Sequence, residues 1–374
     1  MIGISKIDRM DWPLLFIALL LCCIGLVNAF SGTRAHGELA SFLFIKQVAW
    51  IVIGLIMFFV AYYIGDGSIE EITPRFAAVV LLLLFIVLLS GKIVGGAQRW
   101  ISLVGFNFQP SEFAKIAIIL MLARYYAGRY QYGGIGFADT LPAFGIVFVP
   151  FLLVALQPDL GTAGVFLFIM AGMTIIACVK TRIIGLFASI GAVVIPASWY
   201  FMKDYQRQRV LTFLNPERDP LGAGYHVIQS KIAVGSGGIM GKGYMQGTQG
   251  ALRFLPEKHT DFAFAAFAEE WGFIGSVLLL FLFLLLVRRL FLLAVRSQDR
   301  FATFACGGIA IYFLTHVIIN MSMVCGLFPV VGIPLPFVSY GGSSMVTNML
   351  ALGIAANLAR ARFVLGGISG RELT

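Results

Sequence analysis

Residues 262–287 read FAFAAFAEEWGFIGSVLLLFLFLLLV, an almost uninterrupted apolar run that decides the class of the fold. About 20 consecutive apolar residues are enough for an α-helix to cross the hydrocarbon core of a bilayer. The run begins at the end of FLPEKHTDF, residues 254–262, which holds the ionisable side chains Glu257, Lys258, His259 and Asp261. Charge beside a membrane span is costly, which suggests that these side chains have a function.

The composition of the whole chain agrees with this segment. Of the 374 residues, 59% are hydrophobic and 12% are charged, and the mean hydropathy is +0.92. A soluble domain of this length could not cover its surface with so few polar side chains, so a polytopic membrane protein is predicted. The formal net charge of +9 is then expected to reflect membrane topology rather than nucleic-acid binding. The cysteines show no metal-ligand spacing and are interpreted as small apolar residues.

The predicted fold is one all-α domain over residues 1–374, a bundle of ten transmembrane helices. The predicted spans are 12–30, 44–64, 75–90, 110–127, 140–156, 159–178, 183–202, 262–287, 302–325 and 338–360. An even number of spans places both termini on one side. Most Lys and Arg residues of the short loops fall on that same side, which predicts cytoplasmic termini.

The connection 203–261, between helices 7 and 8, is the one long loop and falls on the extracellular side. Loops of this length are usually functional or disordered. Its start is amphipathic (YQRQRVLTFL, 205–214) and its middle is rich in glycine (GSGGIMGKGYMQGTQG, 235–250). The glycine-rich part lacks the spacing of a phosphate loop. It is predicted to be a flexible loop or, alternatively, a mobile flap over a bound substrate.

Glu112 and Lys115 share one helical face in QPSEFAKIAIIL, residues 109–120, because they are three positions apart. They form either a buried ion pair that fixes helix packing or the lining of a polar cavity. Asp159, between two spans, is either a helix N-cap or an external carboxylate beside a cavity. For Glu269 or Glu270, and for His316, structural hydrogen bonds are the expected role.

The segment GAQRW, residues 96–100, lies in the external loop before Glu112. Arg99 could bind an anionic head group. Trp100 could stack on a sugar ring, although anchoring at the membrane interface is the commoner role of such a tryptophan.

In FLPEKHTDF, Thr260 or Asp261 is predicted to cap the following helix. One cap needs only one residue, so the neighbouring charges call for another role. A carboxylate at a helix N-terminus is kept ionised by the helix dipole and could accept a proton. On the external face, beside basic residues, such a carboxylate could be the base for attack by a hydroxyl on a lipid-phosphate-activated sugar. The pyrophosphate leaving group needs no proton, only positive charge.

The stretch NMSMVCGLFPVVGIPLPFVSYGGSS, residues 320–344, resembles the signature of the SEDS family (shape, elongation, division and sporulation proteins). The resemblance continues through GAQRW, FQPSEFAK, QPDLGT, GKGYMQGTQ and FLPEKHTDF and so covers nearly the whole chain. The residues of these motifs resemble the elongation branch of the family more closely than its division branch. The matching positions are Asn320, Gly326, Pro329, Gly332, Ser339, Tyr340, Gly341, Gly342 and Ser343.

The resemblance implies a ten-helix peptidoglycan glycosyltransferase of the bacterial inner membrane. Such an enzyme polymerises lipid II on the outer face and works with a class B penicillin-binding protein and other elongation-complex proteins. It implies that Asp261 is catalytic and that undecaprenyl pyrophosphate leaves, with Mg²⁺ or Mn²⁺ as a possible cofactor. The alternatives are a lipid II flippase and a scaffold that only recruits its partner. The predicted substrate-binding residues are Trp100, Arg99, Glu112, Lys115, Asp159, Arg207, Arg209, Glu257, Lys258, His259, Ser339 and Ser343.

Overall fold

The computed structural model describes residues 10–34, 38–65, 67–94, 97–103, 106–129, 135–202, 204–218, 223–248 and 260–369. The helices at the start of the chain are α1 (Trp12–Arg34), α2 (Glu38–Tyr63), α3 (Ser68–Ser90), α4 (Pro110–Arg129), α5 (Phe137–Leu156), α6 (Leu160–Ile176) and α7 (Thr181–Ser198). The later helices are α8 (Asp204–Leu214), α9 (Ala223–Ser236), α10 (Ala263–Arg296), α11 (Arg300–Val324) and α12 (Gly342–Ser369). The strands are β1 (Lys92–Val94), β2 (Ala97–Leu103) and β3 (Phe106–Phe108).

Among the described residues, six helices are long and apolar enough to cross a membrane: α1, α2, α3, α5, α10 and α11. The protein is therefore a multi-pass membrane protein, as predicted. The remaining predicted spans overlap α4, α6, α7 and α12, which are also helical. Of these, α6 has 17 residues, and α4 carries several charged residues, including Glu112 and Lys115.

The helix α11 forms the axis of the bundle. It is buried along most of its length and packs against α4, α6 and α10. On another side of the bundle, α2 packs along α12. Small residues allow this close approach, since a side chain at Gly353 of α12 would collide with the backbone oxygen of Phe58 in α2.

A three-stranded antiparallel sheet, in the order β1-β2-β3, connects α3 to α4. Lys92 pairs with Trp100, and Ile101 pairs with Phe108. The sequence predicted only a loop here. The sheet matters because β2 carries Arg99 and Trp100 on a rigid element instead of a flexible one.

The glycine-rich segment 237–248 is docked against a kink in α10, where Gly272 has φ 64° and ψ −160°. Backbone groups freed by the kink find partners in this segment: Lys242 N donates to Glu269 O at 3.0 Å, and Phe273 N donates to Gly238 O at 2.9 Å. Lys242 Nζ also lies 2.6 Å from Glu269 Oε1. For these residues the expectation of a flexible loop is corrected, because their main chain completes the hydrogen bonding of α10.

The two ends of the bundle differ in character. The sheet, the first residues of α10 and α12 and the last residues of α11 meet at one end, as the contacts of Asn107 with Ser343 and of Asn320 with Asp261 show. The opposite end is held by an Arg289–Asp11 ion pair at 2.7 Å and by the Arg360 guanidinium, which donates to Tyr62 O at 3.0 Å.

Replacing Gly353 by alanine tests the close packing of α12 on α2. An alanine is intrinsically better than glycine in a helix by about 1 kcal/mol. At Gly353 its methyl group would meet the backbone of α2, and such overpacking costs about 1–3 kcal/mol. We expect Gly353→Ala to lower the apparent melting temperature in detergent, measured by fluorescence-detected size exclusion.

Gly164→Ala in α6 is the matched control, since nothing lies within 4 Å of a methyl group there. Its melting temperature should equal or exceed that of the wild type. Equal melting temperatures for both variants would contradict the close packing.

Candidate functional site

A cavity of about 400 Å³ opens at the sheet end of the bundle. It is within the size range of sites that hold small ligands. Elements far apart in the chain contribute its walls, including Trp100, Glu112, Lys115, His226, Asp261 and Tyr340. Of these, His226 was not singled out by the sequence analysis, because a single histidine in an otherwise unremarkable helix carries no signal.

Asp261 lies in the turn before α10 and lines the cavity. The N-cap of α10 is Phe262, without a side-chain cap, so the prediction that Thr260 or Asp261 caps this helix is corrected. Gly332, at φ 70°, is close enough that a methyl group there would lie 3.3 Å from Asp261 Oδ2. Asp261 Oδ2 thus lies beside Gly332, which is also part of the cavity wall.

Asn320, near the end of α11, fixes the turn that holds Asp261. Its Nδ2 donates to Asp261 O at 2.9 Å and to Ile333 O at 2.7 Å. Ile333 belongs to the segment 325–341 between α11 and α12, which we call the signature loop. One amide side chain therefore ties the Asp261 backbone to the signature loop.

Glu112 and Lys115 form a buried ion pair, with Nζ 2.6 Å from Oε1 and side chains 5% and 2% exposed. Both also line the cavity. The two roles predicted from the sequence, a buried ion pair and the lining of a polar cavity, therefore both apply. Lys115 Nζ lies 3.0 Å from His316 Nε2 and 5.5 Å from the centre of the Tyr312 ring.

His316 therefore belongs to this polar cluster, which its spacing in the sequence did not reveal. Its Nδ1 lies 2.9 Å from Tyr312 O, a carbonyl that can only accept, so Nδ1 carries the proton. The other nitrogen, Nε2, is then the acceptor for the Lys115 ammonium.

Asp159 caps α6 and also holds Arg99. Its Oδ1 accepts from Thr162 N at 3.2 Å, and its Oδ2 lies 3.4 Å from the Arg99 guanidinium. Arg99 and Thr162 line the cavity, whereas Asp159 lies behind them. The predicted N-cap role of Asp159 is thus confirmed, and Asp159 reaches the cavity only through Arg99 and Thr162.

The two predicted serines differ in position. Ser343 lines the cavity, and its hydroxyl accepts from Gln109 N at 3.1 Å, which joins α12 to the start of α4. Ser339 is buried outside the cavity lining, where its hydroxyl accepts from Leu335 N at 2.9 Å. At the cavity edge, burial raises the pKa of the Tyr340 phenol, although a hydrogen bond with Trp50 lowers it, so the group stays a neutral hydroxyl.

Of the remaining predicted residues, Arg207 does not line the cavity. Arg207, in α8, donates to the backbone oxygens of Trp199 and Tyr200 at 3.1 Å each. Arg209 lies on the same helix. Three further predicted residues, Glu257, Lys258 and His259, lie outside the described residues.

Several polar atoms around the cavity are buried without a hydrogen-bond partner among the described residues. They are Glu112 Oε2, Arg99 Nε and His226 Nδ1. Buried polar atoms are normally paired, and a few unpaired ones at a cavity suggest where a ligand binds. Within the described ranges, no three His, Cys, Asp or Glu side chains cluster as metal ligands. The predicted Mg²⁺ or Mn²⁺ stays a prediction.

The sequence matches the FtsW/RodA/SpoVE family, described as "Cell cycle protein", over residues 11–363. The peptidoglycan glycosyltransferase MrdB of Escherichia coli (strain K12) is 43% identical over 327 residues, which is 86% of each chain. The peptidoglycan glycosyltransferase RodA of Treponema pallidum (strain Nichols) is 33% identical over 95% of this chain and 98% of its own.

Two solved structures have a similar fold. One, described as "Structural coordination of polymerization and crosslinking by a peptidoglycan synthase complex", aligns with a TM-score of 0.80 at 32% identity. The rod shape determining protein RodA of Thermus thermophilus aligns with a TM-score of 0.70 at 29% identity. Each alignment covers 95% of this chain and 98% of the other.

Substitution of His316 tests whether it supports the buried lysine. His316→Leu removes the acceptor and leaves one hydrogen of the Lys115 ammonium unpaired, which costs about 1–3 kcal/mol. His316→Gln keeps an amide oxygen that can accept from Lys115. We expect the melting temperature in detergent to fall clearly for the leucine variant and much less for the glutamine variant. Equal losses in the two variants would mean that only ring packing matters at this position.

Proposed function

The chain belongs to the FtsW/RodA/SpoVE family of cell cycle proteins, and on that premise we propose how it works as a peptidoglycan glycosyltransferase that polymerises lipid II. The observation that carries the mechanism is the cavity that brings Asp261 together with Arg99, Trp100 and the Glu112–Lys115 pair. These residues come from β2, α4 and the turn before α10.

We propose that α1–α7 and α10–α12 all cross the membrane, with both termini in the cytoplasm and the cavity on the extracytoplasmic side. The distribution of basic residues supports this orientation. Three helices that begin at the cavity, α4, α10 and α12, carry Arg129, Arg289 and Arg360 towards their other ends. Basic residues are enriched on the cytoplasmic side of membrane proteins.

The carboxylate of Asp261 is the general base. It removes the proton from the glucosamine 4-hydroxyl of an acceptor lipid II. The freed oxygen attacks the anomeric carbon of the growing chain, the configuration inverts, and undecaprenyl pyrophosphate leaves. The leaving group needs positive charge but no proton, so one carboxylate is sufficient for the proton transfer.

Arg99 is the best-placed candidate for stabilising the pyrophosphate. It lines the cavity, its guanidinium is held by Asp159, and its Nε has no partner among the described residues. Lys115 is less suited, because Glu112 and His316 already surround its ammonium. Arg209 and Lys258 stay predictions. A divalent cation would enter bound to the pyrophosphate oxygens, since Mg²⁺ is commonly held through substrate phosphates.

Trp100 supplies an apolar ring surface at the cavity wall. Aromatic rings present a flat apolar face with little loss of conformational entropy, so stacking on a sugar ring of the substrate is its proposed role.

The proposed partner is a class B penicillin-binding protein that cross-links the glycan, in an elongation complex. One solved relative with the same fold is a chain of a synthase complex described as coordinating polymerization and crosslinking. The similarity to proteins named MrdB and RodA supports the elongation branch.

Asp261→Asn tests the general base. Loss of a general base lowers turnover about 10²- to 10⁴-fold, so glycan ladders from fluorescent lipid II should be absent or reduced by at least about 100-fold. The measurement uses the full chain with its partner in detergent. Asp139→Asn is the matched control, because Asp139 pairs with Arg129 at 2.9 Å at the opposite end of the bundle, with both side chains well exposed.

The control should polymerise at the wild-type rate, since an exposed ion pair contributes little to stability. Ladders that persist in Asp261→Asn would overturn the assignment of the base. No ladder from the wild-type complex would favour a flippase or a scaffold, because detergent abolishes the two sides of the membrane.

Gly332→Ala tests the position of the Asp261 carboxylate. The added methyl group would lie 3.3 Å from Asp261 Oδ2, so the carboxylate would have to shift by a few tenths of an ångström. A displacement of about 1 Å at a reacting group can cost about 100-fold in rate, so we expect this smaller shift to lower kcat by about threefold to tenfold.

Gly238→Ala is the matched control. Gly238 also has a positive φ, of 56°, but nothing lies within 4 Å of a methyl group there. Both variants place an alanine at a positive φ, and only Gly332→Ala should lose turnover. An equal loss of turnover in both would attribute the effect to backbone strain.

A further inference from the structure

Glu112 has one carboxylate oxygen that the fold does not use. Its Oε1 pairs with Lys115 at 2.6 Å, whereas Oε2 is buried without a hydrogen-bond partner among the described residues. The side chain is 5% exposed and belongs to the cavity wall. A buried acceptor without a donor is costly, so this oxygen is available to a ligand that brings a donor.

The surrounding charges restrict which ligand group suits this oxygen. Lys115 offsets the charge of Glu112 as a whole, and His316 adds no charge because its Nε2 accepts from the Lys115 ammonium and so carries no proton. The unpaired oxygen nevertheless carries carboxylate charge and repels phosphate. A neutral donor, either an N–H or an O–H group, is therefore the complementary partner.

A buried amide N–H depends on an acceptor such as Glu112 Oε2 more than a buried hydroxyl does. A hydroxyl donates and accepts, so it can adapt to almost any wall. An amide N–H can only donate, and once buried it requires an acceptor. Both sugars of lipid II carry an acetamido group with this N–H.

We propose that Glu112 Oε2 accepts a hydrogen bond from an acetamido N–H of the sugar substrate and thereby makes the cavity selective for N-acetylhexosamines. The proposal rests on the glycosyltransferase function given above. The last torsion of Glu112 is soft, so a small rotation of the carboxylate can turn Oε2 towards the sugar. The flexible side chain of Lys115 can follow Oε1 and keep the ion pair.

In this arrangement the cavity provides separate contacts for two kinds of substrate group. The guanidinium of Arg99 provides a cationic donor for phosphate, and Glu112 provides an anionic acceptor for the acetamido group. A sugar joined to a pyrophosphate is then oriented by two complementary contacts on β2 and α4.

The test compares two ligands on the same protein. One is a short-chain lipid II, and the other is an analogue in which oxygen replaces the acetamido N–H on both sugars. Dissociation constants are measured in nanodiscs on the full chain with Asp261→Asn, which prevents turnover. The ratio of the two constants is insensitive to the fraction of active protein, so a partly unstable variant still gives an answer.

With Glu112 present, lipid II should bind about tenfold to a hundredfold more tightly than the analogue, as expected for a hydrogen bond to a charged group. Glu112→Gln keeps an oxygen for Lys115 but turns an N–H₂ group towards the ligand. The two ligands should then bind within about threefold of each other. Glu112→Asp, which keeps the charge but withdraws the oxygen by one methylene, should also lose most of the selectivity.

Glu71→Gln, a change of the same kind on the exposed first turn of α3, should keep the full ratio. Equal binding of the two ligands with Glu112 intact would overturn the proposal, as would an unchanged ratio in Glu112→Gln. Either result would leave the polymerase function untouched, because glycan ladders made by the wild-type complex test that separately.

Discussion

The ammonium of Lys115 lies inside an apolar helix bundle, where a charge without partners would cost several kcal/mol. Lipid supplies no hydrogen bonds, so the protein has to provide partners for this ammonium. Glu112 on the same helix and His316 on α11 supply them, with the ring of Tyr312 below. The contact between Lys115 and His316 joins α4 to α11 and thereby positions Glu112 and Lys115 in the cavity wall.

The other walls are held by main-chain contacts. Asn320 donates to the backbone oxygens of both Asp261 and Ile333, which ties the turn that holds Asp261 to the signature loop. The docked segment 237–248 supplies backbone hydrogen-bond partners to α10 at the Gly272 kink, which follows that turn in the chain. Asp261 lies in the turn before α10 and lines the cavity. These contacts join elements that are distant in sequence and together form the cavity wall.

Much of the fold follows from hydropathy, because apolar runs such as 262–287 have only one way to satisfy their backbone in lipid. The neighbouring positions of Glu112 and Lys115 follow from helix periodicity alone. The contact of Lys115 with His316 joins residues 201 positions apart, and no local pattern encodes it. The sheet that carries Arg99 and Trp100 was missed because its strands are short. The capping role expected for Asp261 was wrong, because residue type at a helix start does not decide which residue becomes the N-cap.

The central claim is that Asp261 faces the acceptor hydroxyl. A cryo-electron microscopy structure of the Asp261→Asn protein with its partner and bound lipid II would test it most directly. The account predicts that the 4-hydroxyl of the acceptor glucosamine lies about 3 Å from the side chain of residue 261, at hydrogen-bond distance. An acceptor hydroxyl that instead contacts another carboxylate, with residue 261 turned away from the sugar, would contradict it.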